Sequence, residues 1–137
     1  MSVKNFFLDE ELIRYSRNID PKTQINLDYY PLLKAGERFP INDSAFPPRL
    51  EPRPPDDQTF LHGLLLGMSK VEALAYNRLK ELGGPDLKSL RTVGGGSKNS
   101  VWTALRQKQT PVPMQNVASE QAAAGAARLA WKGLLSI

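Results

Sequence analysis

The sequence contains no cysteine and a single histidine, His62. Without thiols the chain has neither a disulfide framework nor a thiolate metal site, and one imidazole makes a histidine-based metal site an unfavourable interpretation. No serine, cysteine or paired acid stands at catalytic spacing from His62. We therefore interpret His62 as a surface or packing residue rather than a catalytic base.

Long apolar runs are also missing. No run approaches the roughly 20 residues that a membrane-spanning helix needs. The first residues, Met1–Asn5, are not followed by the apolar core of a signal peptide. These absences favour a cytoplasmic protein with no membrane partner.

Blocks of basic residues are missing as well, although the net charge is +4 and the isoelectric point is about 9.5. The Lys and Arg residues are scattered along the chain, which is typical of a solvated surface of mixed charge. A nucleic-acid-binding domain concentrates its basic residues on one face or helix. We therefore expect no nucleic acid partner.

A glycine-rich segment, Leu90–Trp102, is the most informative feature of the sequence. It combines a short apolar strand, a turn with three consecutive glycines, and the first turn of a helix. Glycine lets the backbone approach a ligand, and the N–H groups at a helix start point at anionic oxygens. The segment predicts a phosphate or nucleotide site, and a tight structural turn without a ligand is the alternative.

This turn fits neither of two common nucleotide motifs. Gly94 and Gly96 match the first two glycines of G-x-G-x-x-G, but Asn99 stands where the third is required. In a Walker A loop Lys follows the second glycine, whereas Ser97 follows Gly96 here. Standard dinucleotide-binding and P-loop chemistry are therefore both unfavoured.

The first 56 residues are organised differently from the rest. Acidic residues open a predicted short helix over Asp9–Arg17, and Pro21 follows its end. Seven prolines between Pro31 and Pro55 exclude a long helix or a central strand. Because aromatic side chains accompany these prolines, we interpret residues 1–56 as an irregular arm laid across a folded surface; a disordered tail is the alternative. The aromatic residues are Tyr29, Tyr30, Phe39 and Phe46.

Residues 57–137 alternate between helical and strand patterns. The predicted elements are a helix over 57–82, a strand over 87–93, a helix over 99–108, a strand starting near Val112, and a last helix capped by Ser119. This order predicts an α/β fold with a parallel strand pair joined by a crossover. Two parallel strands are too few for a sheet covered on both faces. We therefore expect a partner chain or self-association to cover it, and a truncated gene product is the alternative.

Four stretches carry a longer pattern: Tyr29–Asp43, Phe60–Tyr76, Val93–Gln107 and Glu120–Ala130. In order and spacing they resemble the C-terminal end of the FGGY carbohydrate kinases, which belong to the actin-like, RNase H-like ATPase superfamily. The glycine turn, the Trp on the following helix and the Gly-Ala-Ala of the last helix are part of the match. The first stretch looks like an insert of xylulose- and ribulose-kinase-like members. The resemblance covers nearly the whole chain.

The resemblance implies part of an RNase H-like nucleotide-binding domain in residues 57–137, which binds ATP with Mg²⁺. It implies a kinase acting on a sugar hydroxyl, of a pentulose or a related sugar. The family's N-terminal domain, with its sugar site and catalytic aspartate, has no counterpart in this sequence. We therefore expect no activity without that domain, which a separate chain would supply. The alternative is a non-catalytic remnant or a protein-interaction module.

The resemblance also indicates the site residues. Gly95 and Gly96 would pass close to the nucleotide phosphates and ribose, and Ser97 would lie at the helix start. Ser100 stands where many relatives carry an adenosine-contacting Asn, and Asn99 is the adjacent alternative. Neither a catalytic residue nor a metal ligand is expected within this chain.

Overall fold

The computed structural model describes residues 3–117 and 130–131. Within them the chain has a mixed α/β structure with three α-helices, two short 3-10 helices and one two-stranded parallel sheet. The 3-10 helices are Val3–Asn5 and Gly95–Lys98. The longer elements are α1 (Asp9–Asn18), α2 (Asp57–Glu81), β1 (Leu90–Arg91), α3 (Ser100–Gln109) and β2 (Met114–Gln115).

Helix α2, with 25 residues, is the longest element and confirms the predicted helix to within one residue. Asp56 caps its start, where the Asp56 carboxylate accepts a 2.8 Å hydrogen bond from the Thr59 N–H. The same bond lowers the pKa of Asp56. Gly83, with φ of +91°, ends the helix in the left-handed conformation that glycine adopts easily. Among the described residues, no helix is long and apolar enough to cross a membrane.

The core lies around the first half of α2. Phe60, Leu61, Leu64 and Leu65 are buried there, and residues from the arm and from α3 pack against them. The additional core residues are Phe7, Ile19, Tyr29 and Leu105. The second half of α2 is different, because its apolar side chains Leu74, Leu79 and its C-cap Leu82 are exposed.

The proline-rich segment crosses α2 at close range. Tyr29 is buried, and its hydroxyl donates a 2.5 Å hydrogen bond to the Pro52 carbonyl. A Cβ at Gly67 would lie 2.6 Å from the Tyr29 carbonyl oxygen, so this crossing requires glycine in the helix. The guanidinium of Arg53 lies 3.9 Å from the centroid of the Phe60 ring. The segment is therefore irregular in backbone but fixed by side-chain contacts with α2.

The sheet is parallel, as predicted, but its strands are shorter than the prediction. Leu90 pairs with Met114 and Arg91 with Gln115. The strand prediction over 87–93 was wrong at both ends, and the second strand is likewise only two residues long. Because Pro111 and Pro113 have no N–H, they cannot donate to a ladder, which limits pairing on that side.

The predicted last helix, capped by Ser119, lies mostly outside the described residues. Ala130 and Trp131 are helical, and Trp131 is exposed.

Candidate functional site at the glycine turn

Residues 92–99, called the glycine turn from here on, connect β1 to α3. Gly94 has a φ of +80°, which favours glycine, and the 3-10 helix Gly95–Lys98 follows it. Gly94 and Gly95 are exposed, and apart from the adjoining backbone no described atom lies within 4 Å of a Cβ built at either. The main chain is therefore open to a ligand at these two positions.

Gly96 has a different environment. A Cβ built at Gly96 would overlap the six-membered ring of Trp102, which is the third residue of α3. Glycine is therefore needed here for packing inside the protein, whatever binds outside. The resemblance placed Gly96 beside the nucleotide phosphates and ribose, and the structure gives an additional reason for this residue.

Asn99 is engaged at both ends of its side-chain amide. Its Oδ1 accepts a 3.0 Å hydrogen bond from the Trp102 N–H and so caps α3. Its Nδ2 donates a 3.0 Å hydrogen bond to the hydroxyl of Ser16, a buried residue of α1. Both polar atoms of the Asn99 amide are therefore bonded within the protein, where they stabilise the turn.

The remaining predicted residues are the half-buried Ser97 and the exposed Ser100. The Ser97 hydroxyl donates a 2.7 Å hydrogen bond to the Gly94 carbonyl, which closes the turn. Ser100 is exposed as the first residue of α3, and Lys98 is exposed beside it. The structure thus brings Gly95, Gly96, Ser97 and Asn99 together in the glycine turn, with Ser100 directly after it, and gives them distinct environments.

Arg106 contacts the glycine turn and the helix that follows it, although the sequence analysis did not identify this residue. Its side chain is 6% exposed and forms two hydrogen bonds with the Glu72 carboxylate, at 2.6 and 2.7 Å. It also donates to the Thr92 hydroxyl and lies over the Trp102 ring, 5.0 Å from the centroid. The hydrogen bond with Glu72 raises the pKa of Arg106. The available sequence signal was the four-residue spacing of Trp102 and Arg106, which puts both on one helix face.

The electrostatic character of this region is cationic. The segment from Leu87 to Ser119 contains five Lys or Arg residues and no Asp or Glu. One of the five, Arg106, is paired with Glu72 of α2. The other four are Lys88, Arg91, Lys98 and Lys108, and all four are exposed. Such a segment favours an anionic ligand over a cationic one.

Metal-binding groups are not assembled in the described part of the chain. Across residues 3–117 and 130–131, no three His, Cys, Asp or Glu side chains come together as ligands for an ion. His62 is buried in the core-facing half of α2, and its Nε2 has no hydrogen-bond partner among these residues. Burial lowers the pKa of His62, so the neutral ring is favoured.

No protein-family model matches this chain. The kinase resemblance is therefore a prediction from motifs, and the structural support for a function comes from the geometry of the glycine turn.

Proposed function

We propose that this chain is the ATP-binding C-terminal portion of a carbohydrate kinase of the FGGY type, with an RNase H-like domain. The kinase would phosphorylate a hydroxyl of a pentulose or a related sugar. The single observation that carries this proposal is the open main chain at Gly94 and Gly95, placed between a parallel strand and a helix start. A backbone of this kind suits the oxygens of a phosphate chain.

The division of roles within the turn follows from its contacts. The exposed Gly95 lets a phosphate approach the main chain, while Gly96 and Asn99 keep the turn in shape. Ser100 adds an exposed hydroxyl group directly after the turn, whereas the Ser97 hydroxyl already donates to the Gly94 carbonyl. Lys98 adds a positive charge that favours a polyphosphate.

Magnesium has no protein ligands of its own among the described residues in this proposal. The described residues provide no carboxylate cluster, so the protein groups present do not fit a magnesium site of their own. The ion would arrive with the nucleotide, coordinated by phosphate oxygens. A general base for the sugar hydroxyl is likewise proposed to come from a domain outside this chain. The chain alone is therefore expected to show no sugar kinase activity with MgATP.

The experiment that tests the proposal is a Gly95→Val substitution followed by calorimetry with MgADP. A Cβ at Gly95 meets no described atom beyond the adjoining backbone and its φ is not positive, so the fold should tolerate a side chain there. The added side chain would block the approach of a phosphate to the backbone. We expect at least about tenfold weaker affinity, the equivalent of about one hydrogen bond to a charged group. An affinity equal to that of the wild type would overturn the assignment of this turn.

A matched pair of lysines separates local contact from general charge. Lys98→Ala removes a charge within the turn, and Lys108→Ala removes one near the other end of α3. If phosphates bind at the turn, the first substitution weakens MgADP binding more than the second. Equal effects would indicate only a diffuse electrostatic attraction.

A protein-interaction role is the second candidate, and it is favoured by a specific observation. Leu74, Leu79 and Leu82 are between 44% and 65% exposed on the second half of α2 and at its C-cap, and Val93 of the glycine turn is 60% exposed. Apolar side chains grouped on one helix half favour contact with another protein surface. In the kinase proposal, the protein surface that covers these side chains would belong to a separate chain that carries the N-terminal domain, or to a second copy of this chain.

A further inference from the structure

Arg106 is a buried charge with more partners than the joining of two helices requires. Its guanidinium bonds both oxygens of Glu72 on α2, donates to the Thr92 hydroxyl and lies over the Trp102 ring. Removing such a charge from water is expensive, and apolar side chains of similar volume often stabilise a helix contact equally well. The α2–α3 contact already has an apolar component, because Leu105 belongs to the same buried cluster as Leu64 and Leu65. The ion pair therefore calls for a second explanation.

The two remaining contacts of Arg106 supply that explanation, because each leads to the glycine turn. Thr92 is the first residue of the turn, and Trp102 carries the ring against which Gly96 packs. One guanidinium thus contacts Thr92, where the turn begins, and the Trp102 ring, against which Gly96 packs in the middle of the turn. Glu72 fixes that guanidinium to α2, an element whose first half is held in the core.

We propose that Arg106 is a positioning residue that holds the glycine turn in its open shape through Thr92 and Trp102. Glu72 is the anchor of this device, and the planar fork of arginine is required because lysine cannot donate to three oxygens in one plane. The role concerns the shape of the turn and does not depend on the ligand. Its consequence for nucleotide affinity rests on the proposed function.

The test uses Thr92→Val and Thr92→Ser in the full chain. Valine has the shape of threonine without the hydroxyl, so it removes the bond from Arg106 and leaves the Arg106–Glu72 pair in place. Serine keeps the hydroxyl and is the rescuing control. The readout is the NMR contact between the α-protons of Gly96 and the Trp102 ring, together with the amide shifts of residues 93–99.

The wild type and Thr92→Ser should show the Gly96–Trp102 contact, and Thr92→Val should lose it and shift the turn amides. The amides of the first half of α2 should keep their positions, which shows that the core is intact. Arg106→Lys should reproduce the Thr92→Val pattern if it folds, and Thr92→Val decides the matter if it does not. A turn with wild-type shifts and contact in Thr92→Val would overturn the proposal and leave Arg106 as a clamp between α2 and α3.

A MgADP titration of the same variants keeps this proposal separate from the proposed function. Loss of affinity in Thr92→Val with recovery in Thr92→Ser supports both. A perturbed turn in a chain whose wild type does not bind MgADP supports the positioning role and contradicts the nucleotide site. An unperturbed turn contradicts the positioning role, even where MgADP binds.

Discussion

The Asn99 amide donates a 3.0 Å hydrogen bond to the hydroxyl of Ser16, across 83 positions of sequence. Ser16 lies on α1, and Asn99 is the N-cap of α3 at the end of the glycine turn. Both partners are removed from solvent to a large extent, Ser16 with 8% exposure. Helix α1 is therefore linked directly to the turn to which we assign the nucleotide.

Replacing Asn99 should show what its two bonds contribute together. Asn99→Ala removes the cap and the link to Ser16, and we expect a loss of about 1–3 kcal/mol in the free energy of unfolding. Asn99→Asp keeps a good capping oxygen and can accept a hydrogen bond from the Ser16 hydroxyl. Urea denaturation should therefore place Asn99→Asp near the wild type. Equal losses in both variants would show that the cap and link do not explain this residue.

The glycines of the turn should differ in their tolerance of a side chain. Gly96→Ala drives a methyl group into the Trp102 ring, and we expect a destabilisation of about 1–3 kcal/mol from overpacking. Gly95→Ala, with open space around its Cβ, should stay within about 0.5 kcal/mol of the wild type. Thermal unfolding of the two variants is the measurement. Similar melting temperatures would contradict the packing of Gly96 on Trp102.

The glycine turn and helix α2 differ in how much of their structure the sequence predicts. Helix α2 was predicted to within one residue because its signals are local: Asp56 caps it and Gly83 terminates it. The role of Gly96 was not accessible, since it depends on how the Trp102 ring folds back over the preceding turn. The three consecutive glycines predict either a phosphate-binding turn or a tight structural turn, and the sequence pattern alone does not decide between ligand approach and packing.

Long-range contacts account for the rest of what the sequence did not reveal. Arg106 and Glu72 are 34 positions apart and meet only because α2 and α3 pack together. Asn99 was considered as an adenosine contact, and its link to Ser16 depends on where the arm places α1. The strands were predicted too long because the hydrophobic pattern extends beyond the ladder. The RNase H-like assignment and the nucleotide site themselves remain proposals.

The stability of the chain should depend on pH through His62. Burial lowers the pKa of His62 below its ordinary value of 6.5; Asp20 raises it and Lys108 lowers it further. The unfolded chain therefore binds a proton more readily than the folded chain, and stability should fall as the pH drops from about 6.5 toward the lower folded pKa. Above about pH 7.5 this contribution should be constant.

Urea midpoints measured between about pH 4.5 and 8 test this dependence. His62→Gln is the control, because glutamine does not titrate and should flatten the slope near pH 6. The capping carboxylate of Asp56 has a lowered pKa, so its contribution is lost only at pH below its ordinary value of 3.8. A slope that is identical in the wild type and in His62→Gln would contradict the burial of a neutral imidazole.

The exposed leucines of α2 should promote association. We expect light scattering after size-exclusion chromatography to show oligomers whose fraction rises with concentration. The double substitution Leu79→Lys and Leu82→Lys should shift the chain toward monomer, and lysine also suits the end of a helix. Leu33→Lys, at a 63% exposed leucine of the arm, is the matched control. A wild type that stays monomeric at all concentrations would contradict a role for this surface in self-association.

The central claim is that a nucleotide phosphate binds the open main chain of the glycine turn, and amide NMR with increasing MgADP measures it most directly. The account predicts saturable shifts that are largest at residues 94–98, with smaller ones at Ser100 and at Thr92. In Gly95→Val the same titration should leave those amides in place. Shifts that are absent in the wild type, or that concentrate on elements away from the turn, would contradict the claim.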